Sequence, residues 1–317
     1  MNHLKDTTVL KAWIGLLCLV LLPACGPTTA PSQIIPAIPA EAASATAAPI
    51  PTSTDTPAPT PLPGTQVYPV SSLASSIPWL PQDRSRNPFS AYYGFNFKQP
   101  PFNDLLVRKA FAAAVDKELV AQEALGFKMR EAVPAMTLTP ASVLARDLYG
   151  EVGIPFDPVE AKALLEQAGY TSVDAFPPTT LIVYMRSSAA PGVHFRIAEA
   201  VVEMWKTHLG ITVQIEAVES PPAMVARMQN SAPAMFVYGW GADYVDPDNF
   251  LKALFHSQSE SNHGDFYSPE FDRYVDEAAE LSDPAERQAL YIQAERIISE
   301  RDVALIPLFH SLGYLQP

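Results

Sequence analysis

The sequence predicts an α/β fold over residues 86–317, in which a mixed sheet is flanked by helices. Two continuous apolar runs, 181–185 and 234–238, are typical of strands that are buried on both faces. Around them lie segments with apolar residues at helical spacing, several of which begin with a polar capping residue followed by proline. Strands that alternate with helices in this way favour a sheet covered by helices.

The bulk composition excludes several classes of function. The 317-residue chain has a formal net charge of −13. Such a surface repels phosphate backbones, so we expect no nucleic-acid partner. The two cysteines, Cys18 and Cys25, lie close to the start. They leave the rest of the chain without a thiol nucleophile, a zinc-thiolate site or a disulfide framework.

Residues 1–25 have the pattern of an export signal. Lys5 and Lys11 flank the start of an apolar run, 12–22, which is too short to cross a bilayer but suits a signal-peptide core. The run leads into Leu-Pro-Ala-Cys, and small residues before a cysteine resemble the lipobox of bacterial lipoproteins. That resemblance implies cleavage before Cys25, lipidation of this residue and an extracytoplasmic protein anchored to the membrane. The alternative is an ordinary signal peptide with a chance cysteine.

Residues 26–85 are predicted to form a disordered tether. The first forty of them contain about ten prolines among alanine, threonine and serine. Such a composition cannot build an apolar face and favours polyproline II conformations. A tether of this kind would hold the folded part, 86–317, away from a membrane surface.

Helix starts are the clearest signals in the folded part. Asp157, Ser268 and Asp283 each precede a proline and are predicted N-caps. A further helix is predicted over 104–115, and another joins the run 181–185 to the next strand and ends near Gly210.

The densest polar stretch is GWGADYVDPDNF at 239–250. Leu251 stands where a calcium-binding loop requires glycine, and His256 and His263 do not have the spacing of a zinc site. We therefore expect no metal, and the other histidines of the folded part are expected to be structural. Phosphate-binding, dinucleotide-binding and nucleophile-elbow motifs are also missing. The sequence thus predicts a protein that uses no cofactor and is not an enzyme.

The carboxylates of this stretch have different predicted roles. Asp246 precedes a proline and then an apolar stripe, so it is predicted to cap a helix. Asp243 comes three residues earlier, after the predicted strand 234–238, and the carboxyl ends of strands are where ligands bind in open α/β sheets. Beside Trp240 it could pair with an ammonium group, or it could be an ordinary aspartate of a surface turn.

Several stretches together resemble the extracellular solute-binding proteins of family 5, the peptide- and nickel-binding components of ABC transporters. The resemblance covers roughly residues 86–317. It lies in 96–116, 156–170, 239–250, 267–272 and 283–300, and ends in Ile306, Pro307 and Leu308.

The resemblance implies site residues as well as a fold. In that family the aspartate three residues after the tryptophan meets the α-ammonium group of a bound peptide, which assigns this role to Asp243 beside Trp240. Arg186 stands where some members place an arginine for the peptide carboxylate, and a solvent-facing arginine is an alternative of at least the same weight.

The resemblance also implies what the chain lacks. Family members have two lobes of a type II periplasmic binding protein, and this chain matches the second lobe alone. We expect a lipid-anchored binding component of an ABC importer, which delivers a peptide or another amine-bearing solute to a permease. A separate chain could supply the first lobe. The alternative is a surface-displayed structural or interaction module that has lost ligand binding.

Overall fold

The computed structural model describes residues 88–126, 131–185, 192–230 and 233–311. Within these residues six strands form one sheet in the order β2-β6-β1-β5-β3-β4. The strands are β1 (Phe89–Phe95), β2 (Val133–Pro134), β3 (Thr179–Tyr184), β4 (Val213–Val218), β5 (Met235–Gly241) and β6 (Leu305–Ser311).

Helices connect the strands and cover the sheet. Two short 3-10 turns, Val173–Ala175 and Pro247–Asn249, and a π-helical turn, Ile297–Arg301, complete the described secondary structure. The α-helices are α1 (Leu105–Ala113), α2 (Lys117–Gly126), α3 (Ala141–Leu144), α4 (Pro158–Gln167), α5 (Gly192–Leu209), α6 (Pro221–Asn230), α7 (Leu251–Phe255), α8 (Pro269–Glu280) and α9 (Pro284–Arg296).

The sheet is mixed, as the sequence predicts. Strand β3 pairs in parallel with β4 and β5, whereas β1 lies antiparallel between β5 and β6. The order β3-α5-β4-α6-β5 matches the predicted alternation of strands and helices. The predicted apolar run in β3 is buried, with Leu181, Ile182 and Val183 all fully inaccessible.

Both faces of the sheet carry helices, because neighbouring side chains of a strand point to opposite faces. In β1, the ring of Tyr93 packs 5.8 Å from that of Trp205 on α5. The adjacent Tyr92 packs 5.7 Å from Phe255 on α7. The core therefore has two layers, one on each side of β1.

The predicted helix starts are confirmed. The carboxylate of Asp157 accepts hydrogen bonds from the backbone nitrogens of its first turn, and Asp283 does the same. The Ser268 hydroxyl caps α8, and Asp104 caps α1, which ends at Ala113, two residues earlier than predicted.

Glycines close two helices as predicted. Gly169 follows α4 with φ of 94°, and Gly210 follows α5 with φ of 75°. A backbone with positive φ strongly favours glycine, which has no Cβ to clash with the preceding turn.

One predicted boundary is wrong in a way that matters for the site. The strand expected at 234–238 begins at Met235 and continues to Gly241, so Trp240 lies inside it. The reason is β1, which the sequence did not indicate. Its register from Phe89↔Gly241 to Phe95↔Met235 supplies hydrogen-bond partners along the whole length of β5, including its glycines.

A candidate ligand site at the carboxyl end of β5

The polar turn after β5 lies at one edge of the sheet. Asp243 is two residues beyond the strand, and the preceding Ala242 donates a backbone hydrogen bond of 2.8 Å to Pro88, beside the start of β1. The parallel strands β3 and β5 both end at this edge. It is therefore the position where open α/β sheets bind ligands.

One buried amide holds Trp240 and Asp243 together. Oδ1 of Asn249 accepts a hydrogen bond of 3.0 Å from the indole Nε1 of Trp240. The same oxygen accepts another of 3.0 Å from the backbone nitrogen of Asp243. Because Asn249 is buried, this acceptor replaces water for both donors. The structure thus brings together the two residues that the sequence proposed as a pair.

The Asp243 carboxylate is exposed to solvent. Within the residues that the structure describes, it has no basic side chain as a partner. Trp240 is half-buried and stacks on Tyr238, with ring centroids 6.5 Å apart and planes inclined by 16°. A free carboxylate next to an aromatic surface can bind an ammonium group through charge-assisted hydrogen bonds and cation–π contact.

Asp246 caps the following turn, as predicted. Its Oδ1 accepts a hydrogen bond of 3.1 Å from the backbone nitrogen of Asp248. The helical segment that follows buries Phe250, Leu251 and Leu254, which are the predicted stripe. Burial, together with the neighbouring charge of Asp246, raises the pKa of Asp248.

A pocket of about 240 Å³ opens at the same edge. Strands β3 and β5 pair only through Leu181↔Met235 and Ile182↔Phe236, and the pocket lies where this described pairing has ended. Val237 and Trp240 are an odd number of residues apart, so the pocket and the indole lie on opposite faces of β5. The wall is mostly apolar and consists of Phe89, Tyr184, His194, Met224, Val225, Val237, Tyr238 and Gly239.

His194 is a half-buried polar group in the wall of this pocket. Burial lowers the pKa of its imidazole to about 4, so the ring is neutral at pH 7. A neutral imidazole can donate one hydrogen bond and accept another. The sequence predicted a structural histidine here, and its position in a pocket was not foreseen.

The other described histidines do not line this pocket. Nδ1 of His256 accepts from the backbone nitrogen of Gln258 at 3.1 Å, and the ring of His263 lies 5.3 Å from that of Tyr238. Nε2 of His310 is 2.9 Å from the Thr137 carbonyl oxygen. Among the described residues, no group of three or more histidine, cysteine, aspartate or glutamate side chains is arranged to hold a metal.

Some predicted features fall outside the described residues. These are Arg186, Cys25, the export signal and the tether. In the part of the chain for which positions are given, no helix is long and apolar enough to span a bilayer.

Two site residues were missed by sequence reasoning. Asn249 looks like an ordinary residue of a helix start, and its role depends on a contact nine residues back in the chain. Arg287, which pairs with Asp246, is 41 residues away in sequence and had no signal.

Comparison with known proteins identifies the family. A family model described as bacterial extracellular solute-binding proteins, family 5 Middle, matches residues 47–262. The match begins inside the segment predicted to be a tether.

Individual relatives agree with this match. The probable deoxycholate-binding periplasmic protein YgiS of Escherichia coli K12 is 35% identical over 225 residues, which cover 70% of this chain and 40% of that protein. The periplasmic oligopeptide-binding protein OppA of Salmonella typhimurium is 30% identical over 223 residues, covering 69% of this chain and 39% of OppA. The chain thus spans about two fifths of the length of these relatives.

Solved structures share the fold. A dipeptide-binding protein from Pseudoalteromonas sp. SM9913, in complex with Met-Leu, superposes with a TM-score of 0.61 at 27% identity, covering 71% of this chain and 43% of that one. The mixed sheet with its helices is therefore that of the type II periplasmic peptide-binding proteins. The chain belongs to the bacterial extracellular solute-binding proteins of family 5.

Proposed function

We propose that this protein is a substrate-binding component of an ABC importer and that it binds peptides or similar amine-bearing solutes without catalysing a reaction. The observation that carries the proposal is the exposed carboxylate of Asp243 near Trp240 at the carboxyl end of β5, which has no basic partner among the described residues. Relatives named for oligopeptide binding support the class of ligand. Another relative is named for deoxycholate, so the ligand class is not fixed by family alone.

In this proposal Asp243 pairs with the free amine of the ligand. An ammonium–carboxylate pair gives a charge-assisted hydrogen bond, which is stronger than a neutral one. Trp240 supplies an aromatic surface next to the ammonium. Arg186 is proposed as the partner of a ligand carboxylate.

The apolar pocket on the other face of β5 is a candidate for an uncharged part of a ligand. Its volume of about 240 Å³ suits a side chain rather than a whole solute. His194 would offer a hydrogen bond to that group in its neutral form.

The described part of the chain presents one wall of such a site. Ligand pockets normally bury most of the ligand surface, which a single wall does not achieve. We propose that a complementary first lobe closes over Asp243, supplied by further sequence or by another chain. A lipid anchor at Cys25 and the tether of residues 26–85 would hold the binding part near its permease on the extracytoplasmic side.

Calorimetric titration tests the proposal. The full chain, purified in mild detergent, is titrated with a pool of di- to pentapeptides and with the same peptides N-acetylated. We expect free-amine peptides to bind much more tightly than their N-acetylated forms, and we expect this difference in affinity to be lost in Asp243→Asn. Asp174→Asn removes an exposed carboxylate in the turn Val173–Ala175 and serves as the charge-matched control.

Two results would contradict the proposal. If Asp243→Asn binds free-amine peptides as well as the parent, the role of Asp243 is wrong. If the parent shows no heat at millimolar peptide even after a first lobe from a relative is added, the structural or interaction module becomes the better description.

A further inference from the structure

An ion pair between Asp246 and Arg287 links the turn that contains Asp243 to helix α9. Nη1 of Arg287 lies 2.9 Å from Oδ2 of Asp246, and Nη2 lies 3.1 Å from Oδ1. A hydrogen bond to one carboxylate oxygen and a close ionic contact to the other fix the direction of the carboxylate as well as its distance. The side chains are 27% and 25% exposed, so solvent and salt screen the pair less than a surface pair.

Arg287 is itself held by two helices. Its Nε donates a hydrogen bond of 2.9 Å to the carbonyl oxygen of Ala278, in the last turn of α8. Its Nη2 also donates at 3.1 Å to the hydroxyl of Tyr291, one turn further along α9. These hydrogen bonds therefore hold the guanidinium in one position between α8 and α9.

Asp246 connects Arg287 to the polar turn after β5 that contains Asp243. The oxygen that meets Nη2 of Arg287 also accepts from the backbone nitrogen of Asp248, at the start of the turn Pro247–Asn249. The last residue of that turn, Asn249, holds the Trp240 indole and the Asp243 backbone. Hydrogen bonds at each end, joined by the backbone of the turn Pro247–Asn249, therefore connect Arg287 to Asp243.

We propose that Arg287 is a positioning residue for the ligand site. It acts through Asp246 and Asn249 to fix the direction in which Asp243 presents its carboxylate. This inference rests on the proposed function for the identity of the positioned group, but the positioning itself can be measured without a ligand. The competing explanation is that Arg287 only stabilises the packing of α8 against α9.

The first test uses hydrogen exchange of two indoles in the full chain in detergent. Trp240 donates to Asn249, whereas Trp205 donates a hydrogen bond of 3.0 Å to Phe111 in the core on the other face of the sheet. In Arg287→Met we expect the Trp240 indole N–H to exchange about tenfold faster while Trp205 is unchanged. Equal acceleration of both indoles, or no change in either, would overturn the proposal.

Two further variants sharpen this test. Arg287→Lys keeps the charge but cannot bond both oxygens of Asp246 and the Ala278 carbonyl at once, so Trp240 should exchange at an intermediate rate. It also provides a folded protein if Arg287→Met fails to fold. Arg273→Met removes an exposed arginine of α8 that pairs with Glu277, and it should leave both indoles unchanged.

The second test is a binding cycle. In Arg287→Met, affinity for a free-amine peptide should fall about tenfold, while affinity for its N-acetylated form should not change. In the Asp243→Asn background the same substitution should have no further effect, because the two residues act together. An equal loss for both peptides would show a general effect on the fold and contradict positioning.

The two tests separate the two proposals. If the parent binds no free-amine peptide, the proposed function fails, and hydrogen exchange of Trp240 still decides whether Arg287 fixes the turn.

Discussion

The backbone nitrogen of Asp243 donates a 3.0 Å hydrogen bond to the side-chain oxygen of Asn249, six residues further along the chain. That oxygen also accepts from the Trp240 indole, and Asn249 is only 3% exposed. Loss of this acceptor leaves two part-buried donors without their partner. A fully buried unsatisfied group costs about 1–3 kcal/mol, and we expect a total of this size because solvent reaches both donors in part.

We therefore expect Asn249→Ala to lower the free energy of unfolding by about 1–3 kcal/mol, measured by urea denaturation. Asn249→Asp keeps an oxygen acceptor but adds a charge near Asp246 and Asp248, so its loss should be intermediate. Asn103→Ala, at an exposed position before α1, is the control and should change little. Equal stability of Asn249→Ala and the parent would mean that water replaces the amide at no cost.

The second prediction concerns two glycines of β5. A Cβ at Gly239 would lie 2.6 Å from Cζ of Phe89 and 3.4 Å from Cε1 of His194. At Gly241 the nearest contact would be an ordinary 3.9 Å from Cδ2 of Phe89. Gly239→Ala should destabilise the protein by about 1–3 kcal/mol, the usual cost of overpacking, and narrow the pocket.

Gly241→Ala is the matched control, because it adds the same methyl group to the same strand. Thermal unfolding of the two variants side by side tests the difference. If both lose the same stability, strand glycines are needed for a reason other than the approach of Phe89.

The third prediction concerns pH. Lys117 is buried, and its Nζ donates to the carbonyl oxygens of Ala112 at 2.9 Å and Ile154 at 2.8 Å. Burial lowers the pKa of Lys117 from 10.5 to about 7, against the opposing charge of Asp116. Between these two pH values the unfolded chain keeps a proton that the folded chain has released.

The free energy of unfolding should therefore rise with pH from about 7 to 10.5, by up to about 1.4 kcal/mol per pH unit from this group. Below about pH 7 both states are protonated and the contribution becomes constant. Lys117→Met should lack this part of the slope, and Lys162→Met, at an exposed position on α4, should retain it. Measurements are best made below pH 9.5, because burial raises the pKa of Tyr93 and adds an opposite slope near pH 10. Parallel slopes for the parent and Lys117→Met would refute the assignment.

Local chemistry explains which parts of the fold could be predicted. Asp157, Ser268 and Asp283 act within one turn, so their capping is visible in a few letters of sequence. The buried runs of β3 and β5 were visible because parallel strands covered on both faces are continuously apolar. Strand β1, FSAYYGF, mixes serine and glycine with aromatic residues and has neither pattern, although it is central in the sheet.

In the candidate site, too, only features with a local sequence signal could be predicted. Asp243 and Trp240 could be proposed because they lie in one short stretch with a family pattern. The acceptor that joins them depends on a turn closing back onto β5, and the guanidinium that holds the turn comes from a helix 41 residues later. Contacts at such distances follow from the assembled packing and have no local sequence signature. Arg186, Cys25 and the tether lie outside the described residues and stay predictions.

The position of β1 has a consequence for how the chain folds. This first described strand pairs with β5 on one side and with β6, the last described strand, on the other. The pairing with β6 joins residues more than two hundred positions apart. The chain loses conformational entropy when it closes a loop of that length, and the stabilising strand contacts form only afterwards. We therefore expect slow folding. Until residues 305–311 are available for pairing, one edge of β1 has no partner of its own and could pair with other chains. A chaperone that shields nascent β1 would therefore raise the yield of folded protein.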